Sequence, residues 1–388
     1  MPIERITEFN RERILWCCQQ NAVTVEELSD ELDIKIAPLY AALFEDKGLT
    51  IRQFQKMSEY FHRDLLFFFE QGMVNEASVD SAQFRTINNQ KPSLARKIKI
   101  LVKRAEEQRK VFIDLLEDDE DYMNTNWTRN RIQRTEQETV KAFAGRVRTW
   151  LNISEKNSFE TYRNALEKSG ILAFVTNGYA GKWQIQKESA VRGFSLYFDL
   201  YPVIVAKKQD SPAAQCFTLM HELGHLLLHR TSSIDEEQDL CNYQGQEKES
   251  NEFAGNVLVP DYLLNRINLT SFPYSNVNEY DNFLSIHRKA WGVSGDVIVR
   301  RLRDEGLLRR RYFEEYVAFK ATLPPKEVTP GGNRTRDKEP LSIFGGIYVS
   351  VVFDALHSEQ ITITKASRYL DNLKIADIRK LEQRIVHI

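Results

Sequence analysis

Three of the chain's seven histidines, His221, His225 and His229, fall within nine consecutive residues. They belong to the run Phe217-Thr218-Leu219-Met220-His221-Glu222-Leu223-Gly224-His225-Leu226-Leu227-Leu228-His229, which is apolar at most positions. On a helix, His221 and His225 project from one face one turn apart. Imidazole nitrogens spaced in this way can converge on one zinc ion at about 2.0–2.1 Å. Glu222 is offset around the helix from both, so its carboxylate is placed to take a proton from water without being a ligand, the position of a general base. A buried glutamate between buried histidines would be costly without a metal or another partner.

A catalytic zinc takes three protein ligands and keeps one position for water, so a third ligand is expected downstream. The extended pattern with another histidine six residues after the second is absent, because position 231 is Thr. His229 lies a further turn along the helix, about 6 Å beyond the metal by helix rise, and is expected beside the ligands or in a structural role. The better candidate is Glu247, in Glu247-Lys248-Glu249-Ser250-Asn251-Glu252-Phe253-Ala254-Gly255-Asn256-Val257-Leu258-Val259-Pro260. Phe253, Ala254, Val257 and Leu258 repeat at helical spacing and Pro260 ends the run, so Glu247 and Asn251 share one helix face. There a carboxylate can ligate while Asn251 accepts a hydrogen bond from a ligand imidazole. Glu249 and Glu252 compete with Glu247 for the ligand position. The chemistry expected is zinc-assisted peptide hydrolysis, with Glu222 taking the proton from water and delivering it to the leaving amine. The oxyanion stabiliser is unassigned; Tyr243 and His229 are the nearest candidates in sequence.

The elements that must position these residues follow from periodicity and punctuation. Residues 1–72 are a string of short helical patterns, with a helix opening after Thr24, a turn near Ile34 and another helix through Leu39 to Leu43, an order that resembles the helix-turn-helix of phage-repressor-type regulators. A long amphipathic helix is expected from Gln90 to about Leu116, followed by the acidic run Glu117–Asp121, and a second helical stretch from about Ile132 to Leu151. Ile171–Val175 and Val203–Ala206 are short apolar runs bounded by turn residues and read as strands. Thr322–Ser342 reads as a linker or exposed loop. The expected organisation is 1–72 helical domain, 73–138 helical connector, 139–265 metal-bearing domain, 266–321 helical extension including the amphipathic Trp291–Arg303 segment, 322–342 loop, and 343–388 a helical or mixed C-terminal region.

Gly193-Phe194-Ser195, Pro202-Val203-Ile204-Val205, the H-E-x-x-H run, and Glu247-x-x-Ser250-Asn251-x-Phe253-Ala254 closing on Leu258-Val259-Pro260 together resemble the ImmA/IrrE family of metallopeptidases over about residues 140–265. The resemblance implies a minimal gluzincin inside a predominantly helical α+β chain. It also implies ligands His221, His225 and Glu247, base Glu222, and Asn251 supporting a ligand. Gln215 stands where Arg is frequent and Ser250 where Ala is commoner. Family members often carry a repressor-like domain in front, and some remove a cognate repressor or act in toxin-antitoxin pairs. The implied partner is therefore a protein substrate, a repressor-like or antitoxin-like regulator encoded nearby, in a stress, phage or defence response. The rival readings are a non-proteolytic zinc regulator and the toxin of a toxin-antitoxin pair.

Composition narrows the classes. A net charge of −2 lacks the basic balance of a protein whose main affinity is for phosphates. Residues 1–70 carry eight basic and thirteen acidic side chains, and Ala37–Asp46, the recognition segment of a helix-turn-helix, has no Arg or Lys. DNA binding is thus weakly supported. No apolar run reaches the roughly 18–20 residues of a spanning helix, and no membrane partner is expected. Cys17, Cys18, Cys216 and Cys241 make a poor disulfide framework, and the amino terminus lacks the apolar segment of a secretion signal. A cytoplasmic location with reduced thiols is expected.

Overall fold

The computed structural model describes residues 4–21, 23–61, 63–74, 81–91, 94–116, 125–178, 181–236, 245–323 and 335–385. The chain divides into two compact units, Met1–Val102 and Lys103–Ile388.

The first unit is helical, with α1 (Arg11–Gln20), α2 (Val25–Glu31), α3 (Ile36–Phe44), α4 (Ile51–Phe61), α5 (Ala82–Gln90) and α6 (Arg96–Leu116), in which the division falls. The opening of α2 after Thr24 has a reciprocal cap: the Thr24 hydroxyl accepts from the Glu27 backbone N–H at 3.2 Å, and the Glu27 carboxylate accepts from the Thr24 N–H at 2.9 Å. Ile14, Leu28, Leu39, Phe54, Met57 and Phe68 form a closed core. The outer face of α3 carries Ile36, Tyr40 and Phe44, exposed and four residues apart. The long helix expected from Gln90 to about Leu116 begins at Arg96 and ends at Leu116; Gln90 itself closes the preceding helix α5. The expected acidic run Glu117–Asp121 lies outside the described residues.

The second unit sets a four-stranded mixed sheet among helices, an α+β fold dominated by helix. Its strands are β1 (Leu172–Val175), β2 (Val191–Leu196), β3 (Val203–Ala206) and β4 (Ser233–Glu236), in the order β1-β3-β2-β4. β1 and β3 are parallel, while β2 runs antiparallel to both β3 and β4. β1 and β3 are the two apolar runs read from the sequence. β2 and β4 escaped that reading because Val-Arg-Gly-Phe-Ser-Leu and Ser-Ile-Asp-Glu lack a strand's apolar alternation. The helices that matter for the site are α7 (Val140–Trp150), α8 (Phe159–Lys168), α9 (Pro212–Gly224), α10 (Gly245–Leu258), α11 (Gly295–Asp304) and α12 (Arg310–Thr322). The helical stretch expected from Ile132 begins only at Val140, where the Thr139 hydroxyl caps the Ala142 N–H. One core runs through Phe143, Leu219, Phe253, Tyr280, Ile298 and Tyr316, so residues 266–321 share the interior of the metal-bearing segment.

The last part of the expected 322–342 loop is helical. Arg336–Lys338 forms a tight turn, and α13 (Glu339–His357) follows with Pro340 in its first turn, where a proline starts a helix rather than breaking one. Residues 324–334 of that loop lie outside the described residues. α13 kinks at Gly345 (φ 83°). The buried pair Arg163–Glu167, 3.0 Å apart on α8, sits in the kink. Arg163 donates to the carbonyls of Leu341, Ser342 and Ile343, and Glu167 accepts from the Ile347 N–H, so each charge meets the helix end of opposite polarity. Removing one partner strands the other charge in the interior. Arg163→Ala is expected to cost about 3–5 kcal/mol, read as a lower urea midpoint. The stretch Arg336–His357 is long and apolar enough to cross a membrane. Its Phe344, Tyr348, Val349 and Val352 are nevertheless fully buried, and Phe344 and Tyr348 pack edge-on against Phe174 of β1, so core packing accounts for the apolar content.

Candidate metal centre

Helix α9 is placed by its two ends and by two glycines. Ser211 caps it, Pro212 takes its first position, and the Gln215 amide donates to the Lys208 and Asp210 carbonyls. From His225 to His229 the helix widens into a π-helical turn, which ends at Arg230 in the left-handed region (φ 51°). Gly224 lets α10 approach: a Cβ there would lie 3.2 Å from the Phe253 ring and from Ser250 Cα. Gly193 does the same for β2, since its Cβ would lie 2.5 Å from Thr218 Cγ2, 2.8 Å from the Val205 carbonyl and 3.2 Å from Glu222 Oε1. Gly193→Ala must therefore move the sheet away from α9, with an expected loss of about 1–3 kcal/mol in a denaturant titration.

On this frame His221, His225, Asp235 and Glu247 meet, with one donor atom from each within 4.8 Å of all the others. The Nε2 atoms of His221 and His225 are 3.1 Å apart. Glu247 oxygens lie 3.3 Å from His221 Nε2 and 3.6 Å from His225 Nε2, while Asp235 Oδ2 lies 3.0 and 3.6 Å from the same two atoms. Both histidines and Asp235 are buried, whereas Glu247 reaches the surface. Glu222 is fully buried, and neither carboxyl oxygen makes a hydrogen bond of ordinary geometry among the described residues.

Charge is concentrated here. Burial, with the Asp235 and Glu247 carboxylates nearby, raises the Glu222 pKa well above the usual carboxyl range. Burial alone would depress His221, but the carboxylates of Asp235 and Glu247 outweigh it and push the imidazole up to about 9. Glu247 is pulled down to about 2, its hydrogen bonds with His221 and His225 overcoming the burial that would raise it. Asp235, despite its burial, is held below its usual range, chiefly by His221. Three carboxyl groups crowd two imidazoles, and Asp235 and Glu247 both lie against His221 Nε2. Two imidazole nitrogens and carboxylate oxygens facing one point are a donor set that a divalent zinc ion satisfies.

Residues 180–303, which include this whole centre, match the IrrE N-terminal-like domain, a peptidase family. The chain carries an IrrE-like domain. It is also 29% identical over 97 residues to an uncharacterized immunity region protein 2 of Bacillus phage phi105, a stretch covering 24% of this chain and 60% of that relative. No solved structure matches.

Within the IrrE-like domain the three acids of α10 separate. Glu247 faces the histidines; Glu249 pairs with Arg134 at 3.0 Å; Glu252 is exposed on another face. His229 Nε2 turns from the centre to the Gln246 carbonyl (3.3 Å) and the Ser250 hydroxyl (3.4 Å), so Ser250, where alanine is commoner, gains a contact. Asn251 is buried one turn from Glu247, but neither His221 Nδ1 nor His225 Nδ1 is hydrogen-bonded to it. Cys216 is buried and its thiol is pushed up to about 12 by burial, which makes it inert. Tyr243 and Cys241 lie outside the described residues.

Sequence reasoning missed Asp235 because Ser233-Ile234-Asp235-Glu236 has no motif, and only its pairing with β2 returns it to the metal helix. It also missed two buried arginines that hold the C-terminal end of α10. Arg148 donates to the Val257 carbonyl at 2.5 Å and Arg301 to the Val259 carbonyl at 3.0 Å.

Proposed function

We propose that this chain is a zinc-dependent endopeptidase with His221, His225 and Glu247 as ligands and Glu222 as general base. The observation that carries the reading is the convergence of those three donors beside the fully buried carboxyl group of Glu222. Bound zinc supplies Lewis acidity, polarising a carbonyl and making water more acidic. Glu222, with its raised proton affinity, accepts a proton from water and gives it to the departing amine. Glu247 brings negative charge to the ligand set, and its position at the surface gives the centre a route to solvent.

The substrate class proposed is a folded regulatory protein of repressor or antitoxin type, supported by the likeness to a phage immunity region protein. The exposed face of α3, with Ile36, Tyr40 and Phe44 in place of cations, supports protein contact over DNA for the amino-terminal unit. The test is a survey of new protein amino termini in cells expressing the wild type or Glu222→Gln, with and without DNA damage. A small set of termini confined to the wild type supports a selective peptidase. Identical sets under both conditions, with zinc present in the purified protein, would favour a zinc-holding regulator instead.

A further inference from the structure

The geometry points to Asp235 as a fourth ligand of the metal, carried on an edge strand that keeps the resting centre closed. This rests on the zinc reading above and adds a residue and a state to it. Asp235 Oδ2 stands as close to the two imidazole nitrogens (3.0 and 3.6 Å) as Glu247 does (3.3 and 3.6 Å), so the two carboxylates bracket one pair of histidines. Asp235 is the more buried of the two, with 1% of its side chain exposed against 23% for Glu247.

Its placement relative to Glu222 is as telling. Asp235 is the cross-strand partner of Gly193, and a Cβ on Gly193 would be 3.2 Å from Glu222 Oε1. The Asp235 carboxylate touches both His221 and Glu222, and so occupies the place where a water must stand if Glu222 is to deprotonate it. Zinc with four protein ligands is closed, whereas a catalytic zinc has three and an open position. With Asp235 engaged the count is four. The strand that carries it is suited to release: β4 has four residues, pairs among the described residues with β2 alone, and faces a register irregularity at Val191/Gly193.

The test uses the full chain, stripped of metal and reloaded with zinc or cobalt(II). Zinc affinity is measured by competition with a chromophoric chelator for the wild type, Asp235→Ala, Asp235→Asn, His221→Ala and Glu247→Gln. If Asp235 is a ligand, both Asp235 variants bind zinc at least about tenfold more weakly. Acetohydroxamate, which needs an open position, then leaves the wild-type cobalt absorption spectrum unchanged and shifts that of Asp235→Ala. The same variant cleaves a generic peptide faster than the wild type. An immediate response of the wild-type cobalt spectrum to acetohydroxamate, which needs no variant to fold, would overturn the closed centre. So would unchanged zinc affinity in both Asp235 variants. Zinc binding indifferent to His221→Ala and Glu247→Gln would overturn the metal reading as well, so the two failures are distinguishable.

Discussion

Replacing Glu222 by Gln is expected to reduce peptide hydrolysis by about 10²- to 10⁴-fold while zinc still binds at one ion per chain. The amide keeps the shape of the side chain but cannot accept a proton, so the change removes proton transfer alone. At about 1.36 kcal/mol per tenfold, this corresponds to roughly 2.7–5.4 kcal/mol of transition-state stabilisation. Glu222 on α9 is fully buried and the Gln is of the same size, so the variant changes no surface and opens no cavity. The Gln is also uncharged among carboxylates, which removes a buried acid crowded by Asp235 and Glu247. Thermal stability should therefore stay level or rise as activity falls. Steady-state cleavage with metal analysis of the same preparation checks this, and retained turnover would sink the assignment of the base.

His221→Ala and His225→Ala are expected to abolish stoichiometric zinc binding, each taking one of two imidazoles whose Nε2 atoms stand 3.1 Å apart. The loss should appear in stability too, because a ligand that binds only the folded state stabilises it by about 4 kcal/mol at a thousandfold excess over its dissociation constant. Added zinc should raise the wild-type melting temperature and leave both variants unmoved. The wild type should also release protons on zinc uptake at neutral pH, since its His221, raised to about 9, is protonated before zinc displaces the proton. Calorimetry in buffers of different ionisation enthalpy measures that release. The linked sign is definite for the metal-free protein. A histidine raised from 6.5 to about 9 contributes stability that is complete below about pH 6.5 and is lost as the pH rises through 9.

The closed centre and the open reading make different demands on these variants. If Asp235 holds the resting ion, the Glu222→Gln effect is largest in a background where Asp235 has been removed, because only there is water free to stand beside the base. Comparing the two backgrounds separates a low basal rate due to closure from one due to poor chemistry.

The chain itself determined the ends of the chemistry that depend on local geometry. His221 and His225 had to share a helix face because four residues make about one turn, and Glu222 had to sit beside them. Thr24 announced a helix start through a capping group that acts within three residues. The apolar runs of β1 and β3 were legible because a strand buried on both faces has to be apolar throughout. On α10 the sequence left three acids in play, since a helix carries Glu247, Glu249 and Glu252 round its circumference without stating which side meets another helix. Tertiary packing chose among them: Gly224 lets α10 close on α9, and Arg148 and Arg301 hold its far end, so of these three acids Glu247 is the one turned to His221 and His225. Asp235 was out of reach of any local rule. Its position depends on which strand β4 pairs with and in what register, a contact set by hydrogen bonds to residues some forty positions earlier in the chain. Spacing along the backbone thus specifies the donors on one helix, while the fourth carboxylate, and with it whether the centre is open or closed, is decided by how the sheet's edge folds back over that helix.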